Sequence, residues 1–296
     1  MTQPTFSIAT PTRNCLDKLK RCIGSVRGQT EVRHEHLVQD ANSSDGTPAW
    51  LAAQTGLKAL SEPDAGMYDA INRAWARSQG SILSWLNADE QYLPGTLAKV
   101  QVFFEQHPAV DVLFGDYIVA DPQGRPVALR REIPFRHRYA ANSFINTASC
   151  TLFFRRRLLE QGQLQLDSRY RYAADKELML RLASKGVHIQ RLPDYLSIFG
   201  VDGSNLSTHP QMALEVESIR MAHGAFRSQA LRELLLLGRR LERLFSGGYQ
   251  ARDLRYRYAT DAVPHYTEYQ ATQLGGRYSL ADIEGQAGAA LPEGLL

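Results

Sequence analysis

The side chains of this chain that could do chemistry are mostly carboxylates. Asp64, Asp69 and Asn72 lie in Ser61-Glu62-Pro63-Asp64-Ala65-Gly66-Met67-Tyr68-Asp69-Ala70-Ile71-Asn72, Asp89 and Glu90 close the run Asn87-Ala88-Asp89-Glu90, and Asp40 stands upstream. Carboxylates gathered in one cleft repel unless a cation or donor groups neutralise them. A divalent ion that shares a phosphorylated ligand supplies that neutralisation. Magnesium or manganese is commonly held by one or two carboxylates together with substrate phosphate oxygens, so Asp89 suits a sparse site of this kind. The ion would stabilise charge on a departing diphosphate.

The elements that must position these groups follow from periodicity. Residues 5–10 alternate as a strand, end at Pro11, and give way after Asn14 to a helix with Leu16, Leu19, Ile23 and Val26 on one face. Residues 35–40 read as a second strand, followed by the turn Asn42-Ser43-Ser44-Asp45-Gly46 and a helix capped by Thr47 with Pro48 in its first turn. A third strand at 57–61, a helix at 67–78 with Tyr68, Ile71 and Trp75 on its core face, and a fourth strand at 81–86 repeat the pattern. This alternation predicts an α/β fold with a Rossmann-like, mainly parallel sheet flanked by helices, binding ligands outside the carboxyl ends of its strands. Asp40, Asp64 and Asp89 fall at those ends.

After a helix at 94–106 the alternation breaks. Residues 110–120 and 126–129 read as a hairpin around Asp121-Pro122-Gln123-Gly124, and 130–138 as a basic surface loop. Short strands are expected at 150–154, 187–190 and 196–201, with Asp175 near the start of a helix that carries Leu178 and Leu182 and stops at Gly186. From about Met212 the chain turns helical and basic, clearest over 231–245, and its Gly- and Ala-rich end is expected to fray.

Composition narrows the classes. A chain of 296 residues holds one large core with an appendage, and 44% apolar with 22% charged residues is an ordinary globular balance. Thirty-four basic against 31 acidic residues, a net charge of +3, is too even to call for nucleic acid. Cys15, Cys22 and Cys150 form no Cys-x-x-Cys pair, which argues against a zinc site or disulfide framework and for reduced thiols in the cytosol. No secretory signal and no apolar run near the ~20 residues of a membrane span is visible, so membrane contact is expected to be peripheral.

Four motifs in order make the chain similar to the family 2 glycosyltransferases with the GT-A fold. They are Thr10-Pro11-Thr12-Arg13-Asn14, Val38-Gln39-Asp40-Ala41-Asn42-Ser43-Ser44-Asp45-Gly46-Thr47, the stretch from Ser61 to Asn72, and Leu86-Asn87-Ala88-Asp89-Glu90. The resemblance covers about residues 5–205 and implies a catalytic domain at 1–205, with a donor half to about 120 and an acceptor half beyond. Residues 206–296 form a helical C-terminal extension outside it.

By this resemblance Asp40 meets the donor base, with the capping of its own turn as the structural alternative. Pro11, Arg13, Asp64, Asn72 and Asn87 line the donor nucleotide, although Asp64 would serve equally as a helix cap. Asp89 keeps the metal-binding acid of an Asp-x-Asp motif whose first acid is Asn87 here, so Mn2+ or Mg2+ is the implied cofactor. Asp175 takes the place of the catalytic base, with Ala174 where the family usually has Glu; its alternative is a helix cap. Asp69, Glu90, Glu177 and His209 stand in reserve.

The implied reaction is inverting transfer from a nucleotide-diphospho-sugar, UDP-linked by preference, to a saccharide or lipid-linked acceptor in surface polysaccharide or glycolipid assembly. A cytoplasmic enzyme, peripheral on the membrane face, fits that role. The segment 231–245 suits docking on the catalytic domain, self-association or an anionic membrane, docking being the simplest. A sugar nucleotidyltransferase would show a Gly-rich basic loop after the first strand, and 10–16 has no glycine; an NAD oxidoreductase would need Gly-x-Gly-x-x-Gly there. A degenerate, non-catalytic binding module is the remaining alternative, prompted by Asn87 and Ala174.

Overall fold

The computed structural model describes residues 5–202 and 209–277. Four parallel strands form its first half: β1 (Phe6–Thr12), β2 (His34–Asp40), β3 (Leu57–Ser61) and β4 (Ile82–Trp85), in the order β3-β2-β1-β4. Between them run α1 (Leu16–Arg27), α2 (Thr47–Ala52) and α3 (Met67–Ala76). Thr12 pairs with Asp40 and Asp40 with Ser61, so the strands finish level. The loops carrying Arg13, Asn42, Asp64 and Asn87 therefore leave one edge of the sheet.

Alternation along β1 decides which helix packs where. Ile8 points with Phe6 and Ile82 into a cluster with Cys22 and Val26 of α1 and with Leu97, Val100 and Phe104 of α4 (Thr96–Gln106). Ala9 faces the other side, with Leu83 and Trp85, against Ile71 and Trp75 of α3. Because side chains alternate with period two, one strand supplies both cores. Trp75 is fully buried yet satisfied, its indole N–H donating to Ser84 O at 3.1 Å.

The remaining strands extend the sheet with mixed direction: β5 (Gln91–Tyr92), β6 (Val112–Ala120), β7 (Pro126–Arg130), β8 (Phe153–Arg155) and β9 (Ile189–Gly200). The path continues β4-β8-β6-β9-β5, and β7 pairs antiparallel with β6 as the expected hairpin. The two short strands expected at 187–190 and 196–201 are one strand, β9, because pairing with β6 runs on through register shifts around Asp116. Residues 149–151 form a 3-10 turn ahead of β8. The basic segment after β7 is a loop only to Arg136; α5 (His137–Asn142) follows. Two further helices, α6 (Arg157–Glu160) and α7 (Ala174–Ser184), complete this part.

The extension contains α8 (Pro210–Ala222) and α9 (Gln229–Phe245), and then a feature not anticipated from sequence, the antiparallel hairpin β10 (Arg252–Ala259) and β11 (Tyr266–Leu274). Tyr256, Tyr258 and Ala271 of this hairpin pack with Ile118, Leu129 and Ile198 of the main sheet. Tyr256 donates to Gly124 O at 2.5 Å. Gly124 has φ +88°, and a Cβ there would stand 2.5 Å from the Tyr258 ring, so the β6–β7 turn requires glycine twice over. The boundary expected at 205 and the tail expected to fray fall outside the described residues.

Candidate functional site

The loops after β1 and β2 are tied together by one carboxylate. Asp40 is fully buried; its Oδ1 accepts from Ser43 Oγ at 2.5 Å, and its Oδ2 from Ser43 N–H at 3.0 Å and Ser61 Oγ at 2.5 Å. Ser43 Oγ in turn accepts from Asn14 N–H at 2.8 Å, and Asn14 Oδ1 accepts from Ser44 N–H at 2.8 Å. Asn14 holds φ +50°, a conformation asparagine tolerates. Asp40 is thus engaged by its own loop, the turn-capping alternative raised from sequence, and it sets the shape of that loop. Pro11 is buried in β1, and Arg13 is exposed just beyond it.

Burial raises the Asp64 carboxyl and Asp69 adds to it, while the Gly66 N–H, Arg73 and Arg13 pull it back. Asp64 accepts from Gly66 N–H at 2.9 Å, bracing the turn into α3, whose N-cap position is Gly66 at φ +122°.

At the end of β4, Asn87 and Asp89 bend over the same edge. Burial raises the Asp89 carboxyl, Lys18 opposes this, and Asp202 adds to it; Lys18 itself is paired with Asp202. Gly200 makes the bend feasible, since a Cβ there would lie 2.4 Å from Asp89 O. Asn87 Oδ1 is a buried oxygen without a hydrogen-bond partner among the described residues. Asp89 and this orphaned oxygen fit a divalent ion that takes its other ligands from phosphate. Among the described residues no three His, Cys, Asp or Glu converge on one metal position, so the chain alone offers no closed cage. Glu90 is buried and turned away: it accepts from Ser149 Oγ at 2.6 Å and Asn87 N–H at 2.8 Å, and burial beside Asp89 pushes it up to about 8. Glu90 thus supports the bend.

Asp175 is linked to α3. It is the second residue of α7, beyond the N-cap Ala173, which corrects the capping alternative. Tyr68 Oη donates to Asp175 Oδ1 at 3.3 Å. Burial raises the Asp175 carboxyl, while the Lys176 N–H and the Tyr68 hydroxyl pull it back. Tyr68 is core, as its helical position predicts, but its hydroxyl reaches past the core, which periodicity alone could not reveal. The loop before α7 is gathered by Glu215 of α8, which accepts from Arg171, Tyr172 and Ala173 N–H at 2.8, 2.8 and 3.1 Å. Lys176 is buried, donates to Ser143 O, and is lowered to about 7 by burial and by Arg220.

Four expected site residues are engaged in scaffolding. Asn72 is clamped to the backbone of Leu166, donating to its O at 2.7 Å and accepting from its N–H at 2.9 Å, so both ends of its amide are used away from the donor edge. Asp69 accepts from Ala65 N–H at 3.0 Å and pairs with Arg73 at 2.9 Å. Glu177 is buried against Arg181 at 2.8 Å. His209 stacks on Tyr172 at 4.5 Å and caps α8 by accepting from Gln211 N–H at 3.2 Å. The groove of about 540 Å³ lies elsewhere, between α5 and α9.

Comparison with known proteins adds the following. The family described as Glycosyl transferase family 2 matches residues 7–162. An uncharacterized glycosyltransferase of Mycobacterium tuberculosis is 33% identical over 192 residues, covering 61% of this chain and 69% of its own. A PGL/p-HBAD biosynthesis glycosyltransferase of Mycobacterium bovis is 34% identical over 125 residues, covering 40% and 49%. Among solved structures, S. aureus TarS 1-349 in complex with UDP-GlcNAc superposes with TM-score 0.61 at 19% identity, over 81% of this chain and 73% of that one. The mannosyltransferase PcManGT from Pyrobaculum calidifontis, in complex with GDP-Man and Mn2+, gives 0.52 at 18%, over 82% and 81%. At such identities the likeness shows the fold, which is of GT-A type.

Proposed function

The chain belongs to glycosyl transferase family 2, and from that membership we propose that it moves a sugar from a nucleotide-diphospho-sugar to an acceptor hydroxyl with inversion. A UDP-sugar is the favoured donor, in keeping with the UDP-GlcNAc of the TarS complex. The relative named for PGL/p-HBAD biosynthesis directs the acceptor side toward glycoconjugate assembly, on a saccharide or lipid-linked saccharide at the cytoplasmic membrane face. Residues 1–205 act as the catalytic unit and the rest as its extension.

The observation that carries the reading is the Tyr68–Asp175 hydrogen bond, which gives a carboxylate a donor from the first turn of α3, the helix that follows the Asp64 loop. An acceptor hydroxyl is a weak nucleophile, and direct displacement needs a base on the face opposite the leaving diphosphate. Asp175 takes that proton, and Tyr68 keeps its oxygen oriented. Asp89 and Asn87 Oδ1 are the residues that would hold Mn2+ or Mg2+, whose charge, when bound, offsets that of the leaving diphosphate. Pro11, Arg13 and Asp64 border the nucleotide, with Asp40 fixing the loop above it.

The test is Asp175→Asn assayed with a panel of UDP-sugars and Mn2+. Transfer should be lost while the donor still raises the thermal midpoint; normal turnover would reject the base assignment. Release of pyrophosphate in place of nucleoside diphosphate would identify a nucleotidyltransferase.

A further inference from the structure

Helix α9 is built inside out for a helix that rests on a protein core. Its inward side carries Arg239 and Arg243, both buried, while Leu231, Leu234, Leu237, Leu241, Leu244 and Phe245 are 43–85% exposed. The arginines are anchored. Arg239 Nη1 donates to Phe144 O at 2.9 Å with its guanidinium 4.0 Å over the Phe144 ring, and Arg243 lies 3.4 Å from Glu132 and over the Tyr249 ring. Rolling the helix to bury the leucines would expose Phe144 and leave Glu132 without that partner. The leucine face is therefore held outward by the packing of its opposite side. Helix α9 thus packs against α5, and it does so through these arginines with Leu235 and Leu236 half-buried beside them.

Two features decide what covers that face. Leu234, Leu237, Leu241 and Leu244 follow a 3-4-3 spacing, but only over two heptads, where a coiled coil needs about three or more. Leu231 and Phe245 widen the apolar arc past the narrow seam of a helix pair, toward the broad stripe of an interfacial helix. The surrounding charge is basic. Arg138, Arg227 and Arg240 stand exposed, with Glu233 as the exposed acid of α9, and Glu242 is taken up by Arg136 at 2.6 Å. The groove between α5 and α9 sets Phe135 and Tyr139 beside Arg136 and Arg138, an aromatic and guanidinium lining suited to the headgroup level of a bilayer.

We propose that the outward face of α9, with the adjoining α5 groove, docks this protein on an anionic lipid bilayer. The helix lies in the plane of the interface with its leucines among the acyl chains; among the described residues no helix is long and apolar enough to cross. Residues 143–144 join this face to the candidate base, since Phe144 O receives Arg239 and Ser143 O receives Lys176, the neighbour of Asp175. The bilayer contact stands by itself; its use, bringing Asp175 to a lipid-linked acceptor, rests on the proposed transfer.

The experiment is co-sedimentation of the full chain with vesicles of phosphatidylcholine alone and with vesicles of equal parts phosphatidylcholine and phosphatidylglycerol. Binding is expected to the anionic vesicles only, to be lost in Leu237→Glu/Leu241→Glu, and to weaken at least about 25-fold in Arg138→Glu/Arg240→Glu, at roughly five-fold per arginine near an anionic surface. Unchanged donor-induced thermal shifts would show that both variants fold. Absence of binding by the native chain, or equal binding by the leucine variant, overturns the proposal. So does a dimer that the leucine variant dissociates without any vesicle binding, which would assign the face to a second copy. Loss of transfer by Asp175→Asn with vesicle binding intact separates failure of the enzyme reading from failure of this one.

Discussion

Tyr68→Phe removes the single hydroxyl that donates to the proposed base, Asp175. Tyr68 stays protonated throughout the working range because burial, with Asp175 beside it, pushes its own ionisation far up, so it is always the donor to Asp175. A hydrogen bond to a charged acceptor contributes about 1.5–3 kcal/mol, and at 3.3 Å the lower end applies. That energy favours only the ionised carboxylate, so its loss raises the Asp175 carboxyl by about one pH unit. The acid limb of kcat/KM should move up by about one unit in the variant. Rates on that limb would fall up to about ten-fold and recover toward the native plateau at higher pH. Measuring the profile for both proteins with one donor and acceptor decides the matter. Coincident acid limbs would refute the coupling, and a variant as inactive as Asp175→Asn at every pH would show that the hydroxyl does more than orient the base.

Gly200→Ala places a Cβ 2.4 Å from Asp89 O, so the Asp89 bend must shift; metal-dependent turnover should fall by at least ten-fold, roughly the effect of an ångström-scale misplacement, read as kcat against metal concentration. Asn72→Ala leaves two backbone groups of Leu166 unpaired and should cost about 2–4 kcal/mol in denaturant unfolding, with the KM for donor unchanged; a raised KM would restore Asn72 to the donor site. Glu35 is lowered from its ordinary value of 4.5, because Lys58, Ser7 and the Gln79 N–H outweigh the opposing effect of burial. Its contribution to stability is therefore complete above about pH 4.5 and lost as pH falls through the lowered folded value. Glu35→Gln should be less stable near neutrality and flatter below pH 4.5 in thermal melts; parallel pH curves for the two proteins would reject this.

What could be read from sequence was whatever depends on neighbours in the chain. The level finish of β1, β2 and β3, and the loops that leave it, follow from strand and helix periods, so the edge bearing Arg13, Asp64 and Asp89 was legible. The partners of Asn72 lie 94 residues away, and no local pattern distinguishes an amide facing a nucleotide from one clamping Leu166. Asp40 carried both readings, and its part in shaping the loop comes from Ser43 and Ser61 converging from two loops, which no local pattern shows. The β10–β11 hairpin left a signal that was available, the alternation Leu254, Tyr256, Tyr258 before the turn-prone Asp261 to Pro264, masked by Arg255 and Arg257 on the opposite face.

The departures at Asn87 and Ala174 look at first like decay of an active site, but the environment of each argues otherwise. A lost acid at 87 would be expected to leave an apolar or internally satisfied substitute. Instead Asn87 presents an oxygen whose burial is unfavourable unless a ligand meets it, beside an aspartate whose neighbour Gly200 leaves room for only one backbone course. At 174 the alanine is fully buried in the cluster that holds Trp75 and Phe154, where a glutamate would bring an unpaired charge into an apolar core. The single carboxylate that remains, Asp175, has its own donor in Tyr68. Since Asp64 and Tyr68 flank the start of α3, the same turn would brace the proposed donor loop and orient the proposed base. On the proposed reading, motion of that turn would act on donor and acceptor at once.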